Sequence, residues 1–203
     1  MKTTDIETPH GLARVHLRPH GDARAALILG HGAGGGVTAP DLVAAARAAE
    51  SVGVAVVLVE QPYRVAGRRS PAPARQLDGA WVAVVERLRT HEVKDLPLVV
   101  GGRSAGARVA CRTAAEVGAV AVLCLAFPLH PPGRSQAQSR IDELDAVTVP
   151  TLVVQGERDP FGMPPPGPQR TVVQVAGDHG LKAGLEGVET ATRDWLARTV
   201  DAS

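Results

Sequence analysis

Between Leu98 and Ala107 an apolar, strand-like run breaks at two glycines and resumes as an alanine-rich helical pattern, Leu-Val-Val-Gly-Gly-Arg-Ser-Ala-Gly-Ala. The expected local structure is strand, sharp turn, helix. Gly102-Arg103-Ser104-Ala105-Gly106 fits G-x-S-x-G, a pattern in which a strained turn lifts the serine hydroxyl above a sheet. Side chains on the flanking positions would drive the chain leaving the strand into the helix that follows, so residues without a Cβ are wanted on both sides of Ser104. The feature demands a buried strand on one side and a closely packed helix on the other. Whether the rest of the chain supplies them decides what Ser104 is for.

It does so repeatedly. Ala25–Leu29, Val54–Val59, Ala119–Leu125 and Thr151–Gln155 are apolar runs of strand length, as strands covered on both faces are, and Thr171–Val175 reads as a further strand. Pro40–Val52, Leu77–Thr90, Ala105–Val117 and Leu185–Thr199 read as the intervening helices, with Trp81, Val84, Val85 and Leu88 making an apolar stripe at helical spacing. Gly11–Arg18 alternates apolar and polar, which predicts an antiparallel N-terminal edge. The expected architecture is α/β, a doubly wound and mostly parallel sheet in a single domain over residues 1–203. At 203 residues and 44% hydrophobic, such a chain buries roughly 70% of the surface its unfolded form exposes. The loop after Leu125 and the polar stretch to Ser139 are too short for a separate cap domain, so the site should be open.

The glycine cluster Gly30-His31-Gly32-Ala33-Gly34-Gly35-Gly36 follows the first buried strand. A phosphate-cradling reading fails for want of a Lys-Ser or Lys-Thr after it, and G-x-G-x-x-G fits only in part. A loop whose backbone N–H groups face a reacting oxygen fits better, with the N–H groups of Ala33 and Ala105 as the expected oxyanion donors. Beyond the Thr151–Gln155 strand, Glu157 and Asp159 both offer a carboxylate. Asp159 is favoured because Pro160 and Gly162 suggest a fixed tight turn. His179 follows the last strand between Gly177 and Gly180. Ser104, Asp159 and His179 therefore occur in the chain order of a nucleophile-elbow triad, each just past a strand. His31, Arg64, Arg103 and His130 are the candidates for contacting substrate. Arg64, with Arg68, Arg69 and Arg134, could attract a carboxylate at a substrate's far end.

The remaining signals narrow the partners. A formal charge of +1 implies no nucleic-acid or membrane field. Lys occurs only at Lys2, Lys94 and Lys182, the other basic residues being Arg, which reads as codon bias. The N-terminal residues lack a secretory h-region and no apolar run approaches the roughly 20 residues of a membrane span, so a cytoplasmic protein is expected. Cys111 and Cys124 read as buried apolar thiols, and His10, His16 and His20 as surface positions rather than metal ligands. No metal or cofactor is expected. The partner is a small-molecule substrate, and the protein a monomer or homodimer.

Over most of its length the sequence resembles the small, capless α/β-hydrolases of the dienelactone-hydrolase-like kind. Five segments are similar to the testis-expressed-protein-thirty-like subgroup: Gly30-His31-Gly32-Ala33-Gly34-Gly35, Gly101–Gly106, Phe127-Pro128-Leu129-His130-Pro131-Pro132-Gly133, Gln155–Gly162 and Gly177-Asp178-His179. That subgroup is known mainly as predicted hydrolases, and some larger relatives serve as scaffold subunits. The resemblance implies the fold, a Ser104-His179-Asp159 triad and cleavage of an ester, thioester or lactone, but no substrate. Ala105-Gly106-Ala107 departs from elbows that carry a bulkier residue and a second glycine there, which should alter packing rather than chemistry. A non-catalytic interaction module on the same fold is the alternative.

Overall fold

A computed structural model describes residues 2–18, 21–131 and 139–200 of the chain. Eight strands form one sheet: β1 (Lys2–Thr8), β2 (Gly11–Arg18), β3 (Ala25–Gly30), β4 (Val54–Glu60), β5 (Leu98–Arg103), β6 (Ala121–Leu125), β7 (Thr151–Gly156) and β8 (Arg170–Val175). Their order is β1-β2-β4-β3-β5-β6-β7-β8, with β1 and β2 antiparallel and every pairing from β4 to β8 parallel. The central strands read as continuous apolar runs because both faces are covered. Helices α1 (Pro40–Ser51) and α6 (Leu185–Val200) pack on one face, burying Leu42, Ala45, Val188, Trp195 and Leu196 against Leu27, Leu29, Leu123 and Leu152. Helices α3 (Ala74–Arg89) and α4 (Ala105–Thr113) cover the other, where Trp81, Val84, Val85, Leu88 and Val109 meet Ile28, Val100 and Val122. This is the doubly wound, mostly parallel sheet expected from the sequence, and no cap domain is evident among the described residues.

Two short helices, α2 (Pro62–Val65) and α5 (Ile141–Asp145), and a single 3₁₀ turn at Lys182–Gly184 complete the elements. None of the three carries a sequence signal long enough to show periodicity. The larger difference lies at the N-terminus. Gly11–Arg18 is not the edge, because Lys2–Thr8 forms a further strand outside it, in register from Lys2 opposite Leu17 to Thr8 opposite Gly11. Of this strand only Ile6 is buried. An edge strand can be polar because one flank faces water, so the hydrophobic pattern that announces the other strands is missing here.

Cys111 on α4 and Cys124 on β6 are buried free thiols with their sulfurs 3.4 Å apart. The hydrogen bond with the Cys111 thiol, and after it burial, push the Cys124 thiol well above its ordinary pKa, which suits the apolar role expected of both. No helix among the described residues is long and apolar enough to cross a membrane.

Candidate active site

Ser104 sits between β5 and α4 with φ 52° and ψ −108°. A non-glycine residue in that region carries strain of order 1–3 kcal/mol, held only when the surroundings over-determine it. The surroundings here are backbone. A Cβ on Gly102 would lie 2.5 Å from the Gly30 carbonyl oxygen and 2.8 Å from the Gly106 carbonyl carbon, and one on Gly106 would strike the Gly30 and His31 backbones. The two glycines let the start of α4 rest directly on the end of β3. The Ser104 N–H is tied to the Leu125 carbonyl of β6 at 2.9 Å, so the turn is fastened on both sides.

His179 and Asp159 reach Ser104 from the loops after β8 and β7. The Ser104 hydroxyl lies 2.9 Å from His179 Nε2, and His179 Nδ1 lies 2.8 Å from Asp159 Oδ2. A carboxylate only accepts, so Nδ1 carries the proton and Nε2 is left to accept from the serine hydroxyl. Asp159 has a fully buried side chain. Its Oδ1 accepts from the Phe161 N–H at 2.9 Å, and its Oδ2 accepts from Gln155 Nε2 at 2.9 Å in addition to His179. Gln155, at the end of β7, also points its amide nitrogen at the Phe127 and Gly162 carbonyls. Three acceptors around one NH₂ settle which way the amide faces. Phe161 meets the His179 ring edge-on, centroids 4.4 Å apart and planes at 89°, so the imidazole is held by hydrogen bonds along its long axis and by an aromatic wall at its side. Glu157, the competing carboxylate, is exposed.

The glycine loop after β3 is organised from beneath. The buried His31 accepts the Gln61 N–H at Nε2, 3.1 Å, so its Nδ1–H donates to the Gly32 carbonyl at 2.8 Å. Burial holds the imidazole below its ordinary pKa, consistent with the neutral tautomer those two bonds need. Tyr63 on α2 donates its hydroxyl to the Ala33 carbonyl at 2.9 Å. Ala33 and Gly34 are thereby held at the mouth of the cleft beside Ala105. As the first residue of α4, Ala105 has an N–H without an intrahelical acceptor.

Arg103, just before the serine, braces three segments. Its Nε is 2.8 Å from Asp41 Oδ2 in the first turn of α1, and its Nη2 donates to the His179 carbonyl at 3.0 Å. A Cβ on Gly32 would come within 2.6 Å of Nη1, so a side chain there would push the end of the guanidinium aside. The Asp41 side chain is only 1% exposed. Burial pushes its carboxyl above the usual range against the pull of Arg103, and the Arg103 N–H is off the line to Oδ2, which has no aligned donor. This is a contact of charge more than of hydrogen bonding.

Around Ser104 the cleft measures about 470 Å³ and is lined by Ala33, Gly34, Pro71, Ala72, Ala74, Leu77, Pro128 and Phe161 on its apolar parts and by Arg103, Arg108, Arg112 and Arg140 on its charged parts. Of the residues expected to contact substrate, only Arg103 lines it. His31 lies underneath the loop, and His130 is turned against Gly162, with its N–H on the Phe161 carbonyl at 2.9 Å. Arg64 lies on α2 with its guanidinium on the Arg68 carbonyl, while Arg68 and Arg69 are exposed. His20 and Arg134, with Pro132 and Gly133, lie outside the described residues. Gln155, Phe161, Asp41, the α4 arginines and Arg140 were missed. Phe161 and Gln155 fall inside a motif segment quoted for the resemblance, which is the only signal they carry.

A family model described as an alpha/beta hydrolase domain matches residues 23–200. No curated protein sequence is significantly similar to the chain. Among solved structures, an a/b serine hydrolase without lid from Xanthomonas campestris superposes with a TM-score of 0.78 at 22% identity, covering 97% of this chain and 94% of that one. Est1E from Butyrivibrio proteoclasticus gives 0.81 at 17%, over 98% and 99% of the two chains. A dienelactone hydrolase from Anabaena variabilis gives 0.75 at 17%, over 97% and 96%.

Proposed function

The chain belongs to the alpha/beta hydrolase domain family, and from that premise we propose that it is a serine hydrolase in which Ser104, His179 and Asp159 act as a catalytic triad on a small ester, thioester or lactone. The observation that carries this reading is the relay from the Ser104 hydroxyl through His179 to Asp159, at 2.9 and 2.8 Å. The residues quoted for the testis-expressed-protein-thirty-like resemblance include all three, and the reading puts the chain with that subgroup.

Chemistry follows from the proton positions. Ser104 Oγ attacks the acyl carbon as its proton passes to His179 Nε2, and the carbonyl π pair moves onto the oxygen. That oxyanion lies against the N–H groups of Ala33 and Ala105. Collapse expels the alcohol or thiol, which takes the proton from Nε2 and leaves an acyl-serine. Water then attacks the same carbon, giving its proton to Nε2; the second collapse releases the acid and returns that proton to Oγ. Asp159 keeps Nδ1 protonated throughout and offsets the positive charge His179 carries between the two transfers. Neither step needs a cofactor.

Labelling with a fluorophosphonate probe tests this. The wild-type protein should become stoichiometrically modified on Ser104, and Ser104→Ala should not react. Undiminished labelling of that variant, or none of the wild type, would overturn the assignment. A structure of the adduct should place the phosphonyl oxygen about 3 Å from the nitrogens of Ala33 and Ala105; an N–H turned away removes that donor.

A further inference from the structure

Ser104 and His179 meet through one hydrogen bond, and that bond is lost partway through the reaction proposed for them, since an acylated Oγ has no proton to give. Something else has to keep the imidazole over the serine while the acyl group waits for water. Asp159 and Phe161 hold the ring at Nδ1 and at its side, but both belong to the loop after β7 and neither ties the histidine to the nucleophile. The loop after β8 is pinned at its ends: the Arg158 N–H donates to the Gly177 carbonyl at 2.9 Å, and the fully buried Leu181 donates to the Asp178 carbonyl at 3.1 Å. Between those ends the His179 main chain has one hydrogen-bond partner among the described residues, Arg103.

Arg103 is joined directly to Ser104, and each of its three guanidinium nitrogens faces protein. Nη2 donates to the His179 carbonyl at 3.0 Å, Nη1 fills the space a side chain on Gly32 would take, and Nε lies 2.8 Å from Asp41 Oδ2. Sequence reasoning offered Arg103 to the substrate; its donors are committed elsewhere. A guanidinium beside His179 opposes the positive charge the imidazole takes on when it accepts the serine proton. Asp41, its side chain 1% exposed and its Oδ1 on the Leu42 N–H at 2.9 Å, supplies the opposite charge. Burying a carboxylate is costly, and the charged side chain this one meets is Arg103.

Building on the serine-hydrolase reading, we propose that Arg103 is a positioning residue: it ties the His179 main chain to the strand end that carries the nucleophile, with Asp41 seating the guanidinium and cancelling its charge. The tie runs through one side chain and one hydrogen bond, so the histidine follows any movement of the end of β5. The contact with Gly32 brings the start of the glycine loop into the same arrangement. Without Arg103 the ring keeps its bond to Asp159 and loses its register on Ser104, and a misplacement of about 1 Å is enough to cost on the order of 100-fold in rate. Because the tie touches no part of the substrate, its loss should slow the chemistry without weakening binding, by the same factor for every ester.

Arg103→Ala tests this on p-nitrophenyl acetate and p-nitrophenyl butyrate. Its kcat should fall on the order of 100-fold, by one factor for both esters, with KM within about twofold of the wild type. The rate constant of fluorophosphonate labelling should fall alongside while the end point stays at one label per chain, which separates a misplaced histidine from a misfolded protein. Guanidinium chloride at tens of millimolar, set against sodium chloride at the same strength, should raise kcat of this variant by about fivefold or more and leave the wild type unchanged, because the free ion can rebuild the bridge from Asp41 to the His179 carbonyl. Arg103→Lys, which keeps the charge but cannot span both partners, should lie between, and decides the matter by the same measurements if the alanine variant does not fold. Wild-type kcat and labelling rate in the Arg103 variants overturn the proposal. So does a rise in KM that differs between the two esters, the mark of a substrate contact, and so does labelling that stops short of one label per chain with its rate constant unchanged. If the wild type itself neither labels nor cleaves, the hydrolase reading has failed and this role fails with it.

Discussion

On one side of the cleft, the loops after β5, β7 and β8 hold Ser104, Asp159 and His179; on the other, Asp78 of α3 and Glu143 of α5 hold Arg112 and Arg108 of α4, and Arg140, just before α5, donates to the Pro128 and His130 carbonyls. The first side is defined by backbone. Ser104 is held at positive φ by a helix start that rests on Gly30, and Asp159 accepts from Phe161, Gln155 and His179 with no water-exposed surface left. The second side is defined by the ends of long, half-exposed side chains, with the paired arginines 20–26% exposed. Such pairs are individually weak and screened by salt. On the proposed reading, chemistry that needs tenths of an ångström falls on the stiff side, while the charges, whose pull falls off slowly with distance, stand on the compliant one.

Substitutions that break this contrast should differ sharply in size. Ser104→Ala should lower kcat for any accepted ester by at least about 10⁴-fold, and Asp159→Asn by a similar factor, because the asparagine would hold the imidazole in the wrong tautomer; single-turnover rates measure both. Gly106→Ala adds one carbon against the Gly30 and His31 backbones. It should destabilise the fold by about 3 kcal/mol in denaturant titrations and, by moving Ser104, lower kcat by on the order of 100-fold. Full activity would show the elbow to be softer than its contacts imply. Gln155→Leu removes a donor to the buried Asp159. A loss of about tenfold in kcat is expected, and the same change made on top of Asp159→Asn should cost much less, since the two act through one group.

On the compliant side, Arg112→Met leaves Asp78 without its partner and takes from Glu143 the longer of its two arginine contacts, all in partly exposed pairs. It should lower stability by only about 1 kcal/mol, less at high salt. A loss several times larger would place this layer with the rigid one. His31 gives the smallest effect. Its folded pKa lies below the ordinary value of 6.5, so below pH 6.5 the unfolded chain takes up a proton the folded protein refuses. Stability contributed by the neutral ring is complete above that pH and declines on acidification until the folded pKa is passed. Melting temperatures recorded from pH 7.5 to 5 should fall less steeply for His31→Gln than for the wild type.

Much of this was legible beforehand in some places and invisible in others. The strands β3 to β7 stood out because burial on both faces leaves an unbroken apolar run, and the elbow because its glycines answer a steric demand within five residues. Ser104, Asp159 and His179 lie 55 and 20 residues apart in the chain, yet each was marked by its place just after a strand, and the parallel sheet delivers all such places to one edge. β1 was missed because its neighbours supply its hydrogen bonds while its side chains stay wet. Arg64 was expected to contact substrate, but it lies on α2 and its guanidinium serves the Arg68 carbonyl instead.

What the sequence by itself determined, then, is whatever depends on near neighbours along the chain: hydrophobic period, the absence of Cβ atoms around Ser104, and the order of three loops. The tertiary structure alone decided the rest. Asp41 meets Arg103, Gln155 turns its amide to Asp159, and Glu143 holds Arg108 and Arg112 while Arg140 donates to the Pro128 and His130 carbonyls and meets no carboxylate among the described residues. The reason is reach: a side-chain charge finds its partner across the gap between packed helices, and which faces meet across that gap is settled by the packing of the whole core.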